Sequence, residues 1–131
     1  MTLDSFDAPT SPDIRTLPFT AAVPHGDFTF VSGQVGVDPT TGELAKGGVT
    51  AEFEQAVANL AKLLAASDLN LADIVRVGVY LADMKDYAAM NDAYRKAFPE
   101  PYPARTAIGV AALPLGAAVE IDAIAAGART R

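Results

Sequence analysis

Residues 103–125 read PARTAIGVAALPLGAAVEIDAIA, and this stretch decides the fold. Its two halves alternate around a Leu-Pro-Leu-Gly corner with the period of two that predicts β-strands over 104–111 and 118–125. Arg105 shares one face of the first strand with Ala107 and Gly109, and Glu120 lies on one face of the second. Small residues in a strand often mark a place where another group approaches the backbone. The stretch therefore predicts two strands that each present one charged face in apolar surroundings.

Two interpretations of Arg105 and Glu120 are open at this point. The two side chains could pair with each other or face solvent, as charged residues usually do. If the strands formed a simple hairpin centred on the Leu-Pro-Leu-Gly corner, Glu120 would lie opposite Gly109, about 13 Å along the strand from Arg105. A gap of that size favours two groups that flank a small anionic molecule over a direct ion pair.

Length and composition restrict the class of protein. The chain has 131 residues, of which 50% are hydrophobic, which fits one domain with its own core. No apolar run approaches the roughly 20 residues of a membrane span, and the first residues do not follow the pattern of a signal peptide. There is no cysteine, and therefore no disulfide, thiolate nucleophile or zinc–thiolate site. We expect a cytoplasmic protein that does not bind membranes.

The charge pattern disfavours nucleic acid, and few groups are suited to metal chemistry. The net charge is −6, whereas nucleic-acid binding needs a basic stripe. One histidine, His25, lies in a Pro-His-Gly-Asp turn that predicts a surface position, and it cannot build a His-rich metal site. The sequence SGQVG at 32–36 lacks the spacing and the lysine of a P-loop. We therefore expect no metal and no organic cofactor.

The first half of the chain supplies short strands and one helix. Residues 1–14 are predicted to be an irregular arm, ahead of a single domain over 15–131. Strands are predicted at 16–23, broken at Pro24, and at 28–31, with a continuation at 35–37. From Thr50, the predicted N-cap, the period changes to 3.6. One apolar helix face follows, formed by Phe53, Val57, Leu60 and Leu64.

The second half returns to alternation and then to a second helix. Residues 74–81 predict a strand with Val75, Val77 and Val79 on one face. A helix is predicted to begin near 83–86 and to end at Pro99. The order β-β-(β)-α-β-α-β-β predicts an α+β domain with both helices on one sheet face. Because two helices cannot cover both faces, we expect the other face to be buried in a homo-oligomer.

At this level of detail the chain resembles the Rid (reactive intermediate deaminase, YjgF-like) family over about residues 15–126. No single matching piece is specific, but their order is. The pieces are FVSGQ at 30–34, DPTTGE at 38–43, Gln55 with Asn59, VYLADMKDY at 79–87, NDAY at 91–94, PART at 103–106, Leu113-Pro114 and VEID at 119–122.

The resemblance implies a chorismate-mutase-like mixed sheet assembled as a trimer, with ligand sites in clefts between subunits. It also implies hydrolysis of 2-imino and enamine acids, such as 2-iminobutanoate and 2-iminopropanoate, to 2-keto acids and ammonia. By position, Arg105 matches the arginine that binds the substrate carboxylate, and Glu120 matches the acidic residue that positions water. Ser32, Gly33 and Asn91 match residues that line the pocket.

Two positions depart from the family pattern. Phe19 stands where well-studied deaminases carry a tyrosine, and Ala107 where they carry a cysteine. The loss of the tyrosine hydroxyl removes one hydrogen bond to water or substrate. Phe19 and Ala107 therefore support an alternative, in which the chain is a small-carboxylate (keto acid) binding or chaperone-like trimer without turnover. Ribonuclease activity is disfavoured, because the chain is acidic and has no histidine pair.

Overall fold

A computed structural model describes residues 17–127, and the fold is a five-stranded sheet with two helices. The predicted irregular arm at residues 1–14 lies outside the described residues. Seven main elements follow in chain order: β1 (Ala22–His25), β2 (Phe28–Val35), α1 (Gly48–Ala65), β3 (Ile74–Leu81), α2 (Tyr87–Ala97), β4 (Ala104–Gly109) and β5 (Val119–Ala126). The predicted α+β class is confirmed.

The sheet has the order β1-β2-β5-β3-β4, with the last strand of the chain at its centre. Neighbours are antiparallel except for β3 and β4, which are parallel and joined by α2. Parallel neighbours need such a long crossover, because a tight turn can only reverse the chain. The two strands of the stretch 103–125 therefore do not pair, since β3 lies between them. The simple hairpin considered for this stretch is wrong.

One face of the sheet packs against both helices. Along β5 every second residue is buried, and along β3 Val77, Val79 and Leu81 have no exposed surface. The predicted apolar face of α1 packs here, with Phe53 and Leu60 fully buried. From α2, Met90, Tyr94 and Phe98 join the same core. We call this side the covered face.

The opposite side, the open face, has no helix on it among residues 17–127. Five apolar side chains lie on it, four of them grouped on β1, β2 and β5 and one apart on the edge strand β4. Phe30, for example, pairs with Ile124 and is 44% exposed. The other members are Val23, Phe28 and Ile108, each also more than one third exposed. An exposed apolar patch of this kind is typical of a surface that another molecule covers.

Three local predictions are wrong, each for a physical reason. Val75 is exposed, because the register with β5 shifts between Ile74 and Arg76 and makes Val75 the extra residue of a bulge. Thr50 does not cap α1, which begins at Gly48 after Gly47, a residue with φ of 125°. Pro24 lies inside β1, where an edge strand tolerates the missing N–H.

Candidate functional site

Arg105 lies on the covered face, at the sheet edge beside α2. It pairs in register with the buried Val77, and its side chain extends towards the first turns of α2. Its Nη1 donates a hydrogen bond of 2.8 Å to Oδ1 of Asn91, and Nη2 makes a longer contact of 3.4 Å with the Tyr87 hydroxyl. The guanidinium carbon lies 4.7 Å from the centre of the Tyr94 ring. These contacts fix the plane of the guanidinium group.

The partners of Arg105 within residues 17–127 are all neutral. Among residues 17–127 no carboxylate lies within ion-pair distance of the guanidinium group. A guanidinium group has five N–H donors, and the contacts with Asn91 and Tyr87 leave several of them unused. Its positive charge therefore remains available to an anion. A carboxylate is the anion that matches its planar pair of donors best.

A depression of about 240 Å³ adjoins the guanidinium group on the side of the link between α2 and β4. Its walls are the residues Asn91, Tyr94, Arg95, Tyr102, Pro103 and Arg105. Arg95 is exposed and already paired with Asp92 at 2.8 Å. The depression therefore has Arg105 as its one cationic group without a carboxylate partner among the described residues.

Glu120 lies on the open face, near the middle of the sheet. It pairs in register with Val35 and Tyr80, and its carboxylate covers Gly33. A Cβ atom on Gly33 would lie 2.9 Å from Cδ of Glu120 and would collide with Oε2, so only glycine leaves room for this carboxylate. Gly33 belongs to the irregular part of β2, where the register with β5 shifts.

Burial and a neighbouring charge act together on Glu120. Partial burial raises its pKa, and the nearby carboxylate of Asp122 raises it further. Asp122 is held in place, because it accepts hydrogen bonds from the Tyr80 hydroxyl (2.9 Å) and from the Gly78 N–H (3.1 Å). A carboxylate with a raised pKa accepts a proton more readily than an ordinary glutamate at the same pH.

The remaining predicted site residues divide between these two positions. Asn91 and Ala107 lie with Arg105: Asn91 by its hydrogen bond, and Ala107 on the same face of β4. Gly33 and Ser32 lie with Glu120, on β2. The Ser32 hydroxyl donates to the carbonyl of Thr20 at 2.6 Å, which places the partly exposed Phe19 at the same end of the sheet.

Within one protomer, Arg105 and Glu120 do not share a site. Arg105 aligns with Val77 and Glu120 with Tyr80, three residues further along β3 and on the opposite face. Their Cα atoms are separated by roughly 10 Å along the strands and roughly 10 Å across them. The alternation within each strand predicts the face on which each residue lies. The position of Arg105 relative to Glu120, however, depends on the strand that lies between their two strands.

Two contributors were not among the predicted site residues. Tyr87 and Tyr94 flank Asn91 at spacings of four and three residues, so all three lie on the side of α2 that meets Arg105. That spacing was visible in the sequence. Glu52 is a buried residue of α1, and its Oε1 accepts a 2.8 Å hydrogen bond from the N–H of Ala118, the residue before β5. Burial raises the pKa of Glu52.

The described residues offer no group of three or more metal-binding side chains, and none of their helices is long and apolar enough to cross a membrane. The only histidine of the sequence, His25, is exposed, as predicted. The site chemistry that the described residues supply therefore rests on a guanidinium group, a carboxylate and neutral hydrogen-bonding groups.

The mixed sheet, with two helices on one face and the Arg105 guanidinium group at its edge, defines a small α+β protein with a candidate site for an anion. The sequence profile described as Endoribonuclease L-PSP matches residues 11–127. The chain is 44% identical over 108 residues to the 2-iminobutanoate/2-iminopropanoate deaminase of Capra hircus, covering 82% of this chain and 79% of that protein. The chain belongs to this family, which includes RidA and YjgF, and the resemblance noted from its motifs is confirmed.

Two solved structures are similar over most of the chain. RidA from an Antarctic Psychrobacter superposes with a TM-score of 0.82 at 38% identity, covering 92% of this chain and 96% of that one. TdcF from E. coli, solved with bound serine, superposes with a TM-score of 0.79 at 34% identity, covering 83% and 87%. The relatives support a family that includes deaminases and binders of small carboxylate ligands.

Proposed function

We propose that this protein hydrolyses small 2-imino acids to 2-keto acids and ammonia. The observation that carries the proposal is the guanidinium group of Arg105, which neutral partners hold in place without neutralising it. Such a group binds a carboxylate through two parallel hydrogen bonds and fixes the plane of the substrate. The deaminase name of a relative with 44% identity and the serine bound by TdcF support the same class of ligand.

The chemistry needs little beyond orientation and proton transfer. A protonated imine is already electrophilic at C2, and a water molecule adds there to form a C–O bond. Glu120 orients this water and accepts its proton. The proton then passes from Glu120 to the nitrogen. As the C–N bond breaks and ammonia leaves, Glu120 takes up the proton of the C2 hydroxyl, and the C2 oxygen becomes the keto group. Holding the water and the substrate in place supplies much of the acceleration.

The site is completed by a second copy of the chain. Arg105 and Glu120 lie on opposite faces of one sheet, so a site that uses both takes each from a different subunit. The apolar open face gives the copies a surface on which to associate. We propose a closed homotrimer with three equivalent clefts, each between two chains. Phe19, Ser32 and Gly33 would approach the substrate together with Glu120, and Asn91 and Ala107 together with Arg105.

The test is a coupled assay in which 2-iminopropanoate or 2-iminobutanoate is generated in solution and the keto acid is followed. Arg105→Ala removes a charge-assisted contact worth a few kcal/mol, and we expect roughly a 100-fold loss of kcat/KM. Lys62→Ala, which removes a positive charge from an exposed position on α1, serves as the matched control. Equal rates for Arg105→Ala and the wild type would disprove the proposal.

A second candidate is binding without turnover. Phe19 and Ala107 favour it, because neither side chain can donate a hydrogen bond to water or substrate. This candidate predicts thermal stabilisation by 2-keto acids that disappears in Arg105→Ala, with no hydrolysis across a panel of imines. Ribonuclease activity fits the chain less well than either candidate, because its net charge is −6 and its single histidine is exposed.

A further inference from the structure

The guanidinium group of Arg105 has two flanks of different chemistry. On one side lies the depression, with Asn91, Arg95 and Tyr102 in its walls. On the other side the face that carries Arg105 continues along β4 through Ala107 to Gly109. Tyr87 and Met84 lie along this second flank, and they are 39% and 47% exposed. The second flank is formed by uncharged side chains.

The side chain of Met84 packs against Gly109. A Cβ atom at Gly109 would lie 2.9 Å from Cγ of Met84, a separation that Cβ atoms essentially do not show, and 3.3 Å from Sδ, which is a tight contact, so the Met84 side chain would have to shift. Gly109 does not have a positive φ. Glycine therefore suits this position because it has no side chain, and not because of its backbone freedom. The backbone of Met84 is fixed as well, because Asp83 accepts a 2.9 Å hydrogen bond from the N–H of Lys85 at the start of the same turn.

The side chain of Met84 packs against Gly109 on one side and is exposed on the other. Nearly half of it remains exposed although it is apolar. Methionine has three rotatable bonds and a polarisable sulfur, so it adapts to apolar groups of differing length. Between Met84 and Arg105 the only side chain on this face of β4 is the methyl group of Ala107. Along β4 itself, a short substrate chain therefore meets only this methyl group, with the Tyr87 ring at its side.

We propose that Met84 determines the side-chain specificity of the imino-acid site and favours aliphatic side chains that reach its thioether. This inference rests on the proposed function, because it takes the substrate carboxylate to bind Arg105. From there the substrate side chain lies over Ala107 and ends against the Met84 thioether. Gly109 is a positioning residue. Because it has no side chain, Met84 can lie close to β4 and leave the space over Ala107 accessible.

The opposite direction, into the depression, differs from the Met84 flank because its walls carry a second guanidinium group. Its walls include the Asn91 amide, the Arg95 guanidinium group and two tyrosines. An aliphatic chain placed there would remove water from polar groups without offering them hydrogen bonds. A substrate with an acidic side chain would gain from Arg95 instead. The direction of the side chain therefore separates two classes of substrate.

The experiment measures binding of unbranched 2-keto acids with three to six carbons by calorimetry, together with turnover of the corresponding imines. In the wild type, each added methylene that reaches Met84 should tighten binding about threefold to fourfold. Met84→Ala should flatten this dependence on chain length and leave the three-carbon acid within about twofold of the wild type. Gly109→Ala, which displaces Met84, should flatten it in the same way.

Arg95→Gln is the control on the other flank and should leave the dependence on chain length unchanged. Three results would each overturn the inference. They are a wild type whose binding does not depend on chain length, an unchanged dependence in Met84→Ala, and a dependence that changes in Arg95→Gln. Thermal melting of Gly109→Ala shows whether that variant is folded, and Met84→Ala keeps the test decisive if it is not. A normal length dependence without turnover would instead contradict the proposed hydrolysis and leave the inference intact.

Discussion

The two faces of the sheet each hold one of the candidate charges, and they hold them differently. On the covered face, Arg105 is fixed by an amide and two aromatic rings, all neutral. On the open face, Glu120 lies over Gly33 beside a second carboxylate, Asp122. Neutral contacts orient a charge without cancelling it, whereas a like charge changes how readily a group takes up a proton.

This difference fits the roles proposed for the two residues. A group that must bind an anion needs a fixed direction and an uncompensated positive charge, which the surroundings of Arg105 provide. A group that must accept a proton needs a pKa closer to neutrality, which burial and Asp122 provide for Glu120. Because the two lie on opposite faces, the proposed site needs a second chain to hold both of them. The following substitutions test this contrast.

The largest effect is expected from charges introduced on the two faces. Val77 is fully buried on the covered face, so Val77→Glu places an unpaired charge in the core and should cost more than about 4 kcal/mol, enough to unfold the domain. Phe30 is 44% exposed on the open face, and Phe30→Glu should leave a folded monomer without activity. Circular dichroism reports folding, and sedimentation velocity reports assembly.

The paired design separates the two faces because each variant is the control for the other. If Phe30→Glu remained assembled and active, the open face would not be the contact between copies. If Val77→Glu folded normally, the assignment of the covered face would be wrong, and the position of Arg105 beside α2 would have to be reconsidered.

A mixing experiment tests whether one site takes Arg105 and Glu120 from different chains. Chains carrying Arg105→Ala and chains carrying Glu120→Gln are each expected to be nearly inactive alone. When both are co-expressed and associate at random in a closed ring, roughly a quarter of the clefts receive an intact residue from each side. Activity should therefore return to about that fraction of the wild type.

The same mixture gives the opposite result if each chain holds a complete site. Every chain then lacks one of the two residues, and no combination restores a cleft. Activity of the mixture at the level of its separate components would therefore contradict the shared cleft. Purification through two different tags, one on each variant, shows that mixed assemblies are present.

The sequence predicts what depends on neighbours in the chain and fails where distant segments decide. Residues 74–81 alternate, and the strand occupies Ile74–Leu81 as predicted. The face of Arg105 relative to Ala107 and Gly109 is likewise correct. Whether Arg105 and Glu120 lie on the same side depends on β3 lying between β4 and β5, and no local pattern encodes that order.

Local irregularities were also invisible in the pattern. The bulge at Val75 moves one residue of an alternating run to the surface. Glu52 suited a helix N-terminus by its charge, yet its partner is the backbone of β5, distant in the sequence. The sequence explains only in part why small residues occur in the candidate site. Gly33 and Gly109 make room for Glu120 and Met84, and those contacts are long-range.

A smaller effect is expected on the pH dependence of catalysis. As the base, Glu120 must be deprotonated, and burial and then Asp122 raise its pKa, so kcat should fall at a higher pH than for an ordinary glutamate. Asp122→Asn removes one of the two causes and should move this acidic limb to lower pH. Tyr80→Phe keeps the charge of Asp122, so it should move the limb less. A limb that moves to higher pH in Asp122→Asn would contradict the role of that charge.

The smallest effect concerns the neutral surroundings of Arg105. The Tyr94 hydroxyl is buried and has no hydrogen-bond partner among the described residues, and burial raises the pKa of Tyr94 to about 12. A buried hydroxyl without a partner costs stability, so Tyr94→Phe should raise the free energy of unfolding by about 1 kcal/mol. Chemical denaturation measures the change. Tyr102→Phe, at a ring that is 45% exposed, is the control and should have little effect.

Tyr94→Phe also separates the ring of Tyr94 from its hydroxyl. Arg105 lies over the face of this ring, and phenylalanine keeps that face, so carboxylate binding should stay within about twofold of the wild type. Loss of stability or of binding in this variant would show that the hydroxyl has a partner, either in the assembled protein or in the bound ligand. A stable variant with unchanged binding would instead show that Arg105 is oriented by the Asn91 amide and by aromatic faces, so that its charge is left for the substrate.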